Sequence, residues 1–210
     1  MTAARPLSLA VLGDSIAYGQ GAARSADTVG ARLAAALGDA GTPIAFTVHA
    51  VPGARSAALA GQVRAATTTQ LDLAVIIIGA NDVTHLVPVD QAAERLAAAV
   101  RTLRAHGVRV VVAPAPDLSA VPLVPPQFRD LARSVSASLR RAQTRAAVRE
   151  GARVAVVEDA LRDAFAADVR LFSADRFHPS SAGYAVIAEA LLPAVQAAAN
   201  DVVDGRRHSA

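Results

Sequence analysis

Short apolar runs alternate along this chain with longer stretches whose apolar residues recur every three or four positions. The runs fall at 7–12, 44–51, 73–78, 108–113 and 153–157, and Val, Ile, Leu and Ala dominate them. Runs of that length and composition predict strands, and the aliphatic 73–78 predicts one buried on both faces. Helical spacing occupies 27–37, 56–66, 90–106, 127–150, 161–166 and 180–199; in 90–106, Ala93, Leu96, Ala97, Val100 and Leu103 form a single stripe. Asp27, Asp90 and either Ser180 or Ser181 stand where caps belong, and Gly38, Gly41 and Gly107 where helices stop. Beyond residue 199 the periodicity is lost. The expectation is one domain over 1–199 and a flexible tail over 200–210.

Strands that alternate with helices predict an α/β fold of three layers, α/β/α, around a five-stranded parallel sheet. Right-handed crossovers favour the flavodoxin-like order 2-1-3-4-5, in which ligands bind where the order reverses, between strands 1 and 3. That order gathers three turns at the carboxyl ends of strands: Gly13-Asp14-Ser15, Pro52-Gly53 and Gly79-Ala80-Asn81-Asp82. The fourth strand opens into 114–126, which carries prolines at 114, 116, 122, 125 and 126 and few polar residues. Such a segment reads as a semi-rigid wall or lid over the site.

Composition narrows the function classes. The 210 residues are enough for a substantial core, and with aromatics at only 3% that core must rest on alanine and the aliphatics. Every basic residue is arginine, which explains a pI near 10.4 beside a formal charge of only +3. The arginines are spread along helical stretches with acids among them, so no nucleic-acid partner is expected. The absence of cysteine excludes a disulfide, a thiolate metal site and a cysteine nucleophile, and suits the cytoplasm. No export signal is read in the opening residues. No run approaches the ~20 apolar residues of a membrane span, so stable membrane insertion is not expected. Oligomeric state stays open.

Ser15 is the candidate reactive group, presented where an apolar strand ends in a tight turn. A serine hydroxyl needs a base within hydrogen-bond reach. Of five histidines, His49 lies in a strand, His106 at a helix end, and His208 in the tail. His85 follows the Asn81 turn and is a candidate for the pocket lining. His178 differs in its company, because Asp175 stands three residues ahead of it. That spacing lets a carboxylate hold Nδ1 and leave Nε2 free to act as base. Acyl transfer also needs donors for the developing oxyanion, and the Ser15 amide, the Gly53 amide and the Asn81 side chain are available. Each residue has a plainer alternative: a helix cap at Asp14, Ser15, Asn81 or Asp82, a relieved turn at Gly53, a local turn bond between Asp175 and His178. Their joint position at consecutive strand ends favours chemistry. Ile16, Tyr18, Val83, His85, Leu86 and Phe177 flank these groups and are expected to line a modest apolar pocket for short to medium acyl chains.

Gly13-Asp14-Ser15, Gly53, Gly79-Ala80-Asn81-Asp82 and Asp175-Arg176-Phe177-His178-Pro179 together resemble the signature blocks of the SGNH (GDSL-type) serine hydrolase family. They stand in the family's order and span nearly the whole chain. The resemblance implies the SGNH hydrolase fold, a small-molecule ester substrate, a covalent acyl-enzyme, and no metal or organic cofactor. It implies Ser15 as nucleophile, His178 as base, Asp175 as its orienting acid, and Ser15, Gly53 and Asn81 as the oxyanion hole. The family also includes acyltransferases, so transfer to a sugar or alcohol is the alternative. A non-catalytic flavodoxin-like binding domain is the rival from another class.

Overall fold

The computed structural model describes residues 5–155 and 158–208. Its strands are β1 (Leu7–Gly13), β2 (Ile44–Val48), β3 (Leu73–Ile77), β4 (Arg109–Ala113) and β5 (Arg153–Val154). They form one parallel sheet in the order β2-β1-β3-β4-β5, as the alternation of strands and helices predicts. The helices are α1 (Ser15–Tyr18), α2 (Val29–Asp39), α3 (Leu59–Ala66), α4 (Ala80–Thr84), α5 (Val89–Ala105), α6 (Arg129–Arg149), α7 (Glu158–Ala167) and α8 (Ser181–His208). Side chains alternate across each strand, so one set (Leu9, Val11, Val75, Ile77, Val111) packs with Leu33 of α2 and Leu191 of α8. The other set (Ala10, Leu12, Ala74, Ile76, Val112) packs with Leu59 of α3 and Leu96 and Val100 of α5. Two cores on opposite faces explain why β3 has no polar residue: neither side of it meets water.

The boundaries differ from the sequence expectation where hydrogen bonding overrides composition. Thr28, not Asp27, caps α2; Asp27 is buried in the preceding 3-10 turn, where Arg24, Arg32 and the Ser181 hydroxyl engage its carboxylate. Asp90 sits inside the first turn of α5, whose N-cap is Pro88. The second strand stops at Val48 and not at 51, yet the amides of His49 and Val51 still bond to Val11 and Gly13 of β1. In β5 only Arg153–Val154 pairs, with Ala155 adding one bond to Val112; the rest of the expected 153–157 strand lies outside the described residues. Residues 56–66 divide into a 3-10 turn and α3, and α7 begins earlier than the expected 161.

The largest correction concerns the end of the chain. Residues 200–208 are helical, because α8 continues to His208 in place of the flexible tail expected after 199. Polar anchors hold this extension: Arg153 reaches Asp201, and Arg206 lies against Asp72 together with Arg5. A window of α8 has a mean hydropathy of 1.4, long and apolar enough to cross a membrane by composition alone. Here Tyr184, Ile187, Leu191 and Val195 are buried against the sheet, as in the core helix of a globular fold.

Candidate active site

The turn after β1 is built by close approach. Gly13 has φ +137°, and a Cβ there would lie 1.8 Å from the Ile77 carbonyl oxygen, so only glycine fits. The next amide, Asp14 N, donates to that same oxygen at 3.1 Å. Gln62 fixes the glycine from the other side: Gly13 N donates to its Oε1 and its Nε2 donates back to Gly13 O, both at 2.8 Å. Asp14 then caps α1 by accepting from Ile16 N, and Ser15 opens that one-turn helix, almost fully buried.

A second self-contained unit carries the imidazole. Asp175 Oδ1 accepts from Ser173 Oγ (2.7 Å), Phe177 N (2.9 Å) and His178 N (2.9 Å), while Oδ2 meets His178 Nδ1 at 2.6 Å. Arg176, at the apex, takes φ +56°, which lets the turn close so tightly. Burial works to raise the Asp175 pKa, but the His178 ring, the two amides and the Ser173 hydroxyl outweigh it and hold the carboxyl well below its usual range. An ionised carboxylate can only accept, so Nδ1 carries the proton and Nε2 is the free acceptor. Nε2 lies 3.1 Å from Ser15 Oγ across 163 residues of chain. Gly21 lets the two units meet, since a Cβ there would lie 2.5 Å from Pro179 O and 3.1 Å from His178 Cβ.

The candidate donors come from the ends of β1, β2 and β3. Asn81 Nδ2 gives one N–H to Ala54 O at 3.1 Å, which sets the amide plane; among the described residues its second N–H has no acceptor. Among the described residues the Ser15 and Gly53 amides make no hydrogen bond. Gly53 has φ +77° with open space where a Cβ would stand, so this turn needs glycine for its backbone angle and not for room. Asp82 is buried and takes the Ser56 amide and hydroxyl (2.8 Å), pinning the Gly53–Ser56 loop to the Asn81 turn. Gln143 repeats the Gln62 device: Ala115 N donates to its Oε1 at 2.8 Å and its Nε2 donates to Ile78 O at 3.2 Å.

Charge is unevenly managed around Ser15. Burial pushes the Asp14 carboxyl up to about 7, the Asp82 charge adds to this, and the amides of Ile16, Gly79 and Ala80 only partly oppose it. Burial, and then the charges of Asp14 and Asp175, also raise the Tyr184 phenol; its hydroxyl donates to Gln20 O at 2.8 Å and so ties α8 to the loop behind Ser15.

A cavity of about 130 Å³ opens beside Ser15 and His178. Of the expected lining residues, Ile16 and Phe177 border it. Tyr18 and Leu86 instead face solvent, 53% and 72% exposed, and Val83 is buried in the core with Leu118 and Leu139. His85 is exposed and bonds back to Asn81 O, away from this cavity. These four follow Ser15 and Asn81 closely in sequence, but the open space lies on the other side, toward β4, α7 and α8. Its walls are Ala113 to Leu118 and Val121, Leu161 and Phe165, Phe172, Ile187 and Leu191. The proline-rich segment is thus a wall of the site, as its composition suggests. Sequence reading offers Asp82 only as a helix cap within the Asn81 turn and passes over Gln62, Gln143, Ser56 and Tyr184; the available signal is a polar group interrupting an apolar helical stripe, as Gln62 does between Leu59 and Val63. Among the described residues no group of three or more His, Asp or Glu side chains is arranged to hold a metal ion.

The sheet order and helical layers are those of the SGNH hydrolase fold. An Axe2 variant, an acetyl-xylooligosaccharide esterase from Geobacillus, superposes with a TM-score of 0.74 at 18% identity, covering 93% of this chain and 96% of that one. TesA superposes with a TM-score of 0.74 at 22% identity, covering 91% and 99%. Residues 11–186 match the model of the GDSL-like Lipase/Acylhydrolase family, and the chain belongs to that family. The GDSL-like esterase Rv1075c of Mycobacterium tuberculosis is 38% identical over 200 residues, which is 93% of this chain; the chain spans 64% of that relative's length.

Proposed function

We propose that the chain is a serine hydrolase of small-molecule carboxylic or thioesters, with Ser15 as nucleophile, His178 as general base and Asp175 as the acid that orients it. One observation carries this reading: the unbroken line from Asp175 Oδ2 to His178 Nδ1 (2.6 Å) and from His178 Nε2 to Ser15 Oγ (3.1 Å). Nε2 takes the Ser15 proton as Oγ bonds to the ester carbonyl carbon. The amides of Ser15 and Gly53 and the unused N–H of Asn81 take the charge that collects on the carbonyl oxygen. The bond from carbon to the leaving oxygen or sulfur then breaks, and Nε2 returns the proton to the departing alcohol or thiol. Water repeats the sequence on the acyl-enzyme: its proton goes to Nε2, its oxygen bonds to the acyl carbon, the bond to Ser15 breaks, and Oγ recovers a proton. Membership of a lipase/acylhydrolase family and likeness to a relative named an esterase support the same chemistry.

The test is covalent. A p-nitrophenyl alkylphosphonate should add one phosphonyl group to Ser15, located by peptide mass spectrometry, and Ser15→Ala should lower ester kcat/KM by at least about a thousandfold. A folded protein that cleaves no ester and takes no label on Ser15 would refute the assignment.

A further inference from the structure

Resting on that reading, we propose that the cavity beside Ser15 receives the acyl half of the substrate. The chain is then selective for linear acyl groups of medium length, and Leu118, Leu161 and Phe165 set that length. The two halves of an ester have different fates in a double displacement. The alcohol must diffuse away before water can attack, whereas the acyl group stays bonded to Ser15 through both steps. A partly enclosed apolar space suits the part that stays, and an open face suits the part that leaves.

The geometry separates those two environments. On the side of β1, β2 and β3, Tyr18, Val51 and Leu86 stand in solvent, each more than half exposed. On the other side the cavity runs from Ser15 and His178 between the proline-rich wall, α7 and α8, and apart from those two residues only Asp117 and Arg162 in its lining carry polar side chains. Phe165 and Phe172, packed edge to face with ring centres 5.0 Å apart, give it an aromatic wall. The size bounds the guest. An apolar cavity of ~150 Å³ accepts benzene, so the present 130 Å³ corresponds to about six carbons.

Two esters of identical formula provide the test. Ethyl hexanoate and hexyl acetate expose the same apolar surface to water, but only the first places its long chain on the acyl side. Each buried methylene contributes about a fourfold factor, so four additional ones allow a preference on the order of a hundredfold. Ethyl hexanoate should therefore exceed hexyl acetate in kcat/KM by at least about thirtyfold once chain ordering is set against that gain. Leu161→Trp, which fills the cavity, should reduce that ratio at least tenfold. Leu118→Ala, which enlarges it, should move the best p-nitrophenyl ester from hexanoate toward octanoate or decanoate. Equal or faster cleavage of hexyl acetate overturns the proposal, as does an unchanged ratio in both variants. Either result leaves the esterase reading standing, because hydrolysis itself is then observed. If neither ester is cleaved and no phosphonate is found on Ser15, the underlying reading fails, and the proposal with it.

Discussion

Apart from the contact of His178 Nε2 with Ser15, Asp175 and His178 are held by bonds within residues 173–178, whereas the Ser15 turn is held by partners from distant parts of the chain. The imidazole unit is a tight turn whose carboxylate collects a ring N–H, two amides and a hydroxyl within six consecutive residues. The hydroxyl unit depends on Gln62 from α3, Ile77 from β3 and Tyr184 from α8, at separations of 49 residues and more. A local turn keeps its geometry as long as its few bonds form. A strand-end turn is only as accurate as the packing of the whole sheet. The two units should therefore fail differently when damaged, the first in chemistry and the second in stability as well.

The largest expected effect is in the local unit. Asp175→Asn loses the acceptor that selects the Nδ1–H tautomer, and kcat should fall by about a hundred- to ten-thousandfold. Its unfolding midpoint in urea should shift little, since most of the fold does not depend on this turn; a midpoint shift as large as that of a core mutant would erase the contrast. Gln62→Leu probes the other unit. It strands the buried Gly13 N–H, leaves Gly13 O with only the Val51 amide, and should cost about 2–4 kcal/mol of stability. Activity should drop with it, through kcat more than KM, because the Ser15 turn loosens while the cavity is untouched. Full activity at undiminished stability would mean that Gln62 positions nothing.

The smallest effect is a pH dependence, and it sharpens the contrast between two buried carboxyls. Asp14 keeps its proton up to about 7 in the folded chain but loses it near its ordinary value of 3.8 when unfolded. Between those values the native state binds more protons, so the Asp14 contribution to stability is fully present below about 3.8 and is lost as pH rises through 7. Asp27 has the opposite sign: Arg24 and Ser181 lower its pKa to about 2, so its contribution is present above 3.8 and is lost as pH falls through 2. Urea unfolding at pH 5 and pH 8 should show Asp14→Asn removing roughly 2 kcal/mol of the wild-type decline toward pH 8. An identical decline in the variant would assign the dependence to other groups.

The candidate groups that the structure brings together are legible because they are written in short blocks. Asp175 and His178 are informative at a spacing of three, and Ser15 and Asn81 stand immediately after apolar runs that only a parallel sheet explains. The pocket differs from the sequence expectation for the converse reason. Neighbours in sequence of Ser15 and Asn81, such as Tyr18 and Leu86, were expected to line it, but a turn sends adjacent side chains to opposite sides. Apart from the proline-rich segment, most of the actual walls come from α7, Phe172 and α8, far away in sequence, and no local pattern marks them. The end of α8 differs for a similar reason: its last turns are stabilised by Asp72 and Arg153, which lie far outside the window in which helical periodicity is judged.

By itself the order of residues determined the strand and helix alternation and the sheet order 2-1-3-4-5, and it named the candidates for the reactive groups. These depend on local periodicity, glycine turns and the handedness of crossovers. Only the tertiary structure decided which side of Ser15 is hollow, how large the hollow is, and which buried amides and carboxyls hold its rim. Those properties depend on how side chains from separate elements fill space together, and that is fixed only when the layers close on one another.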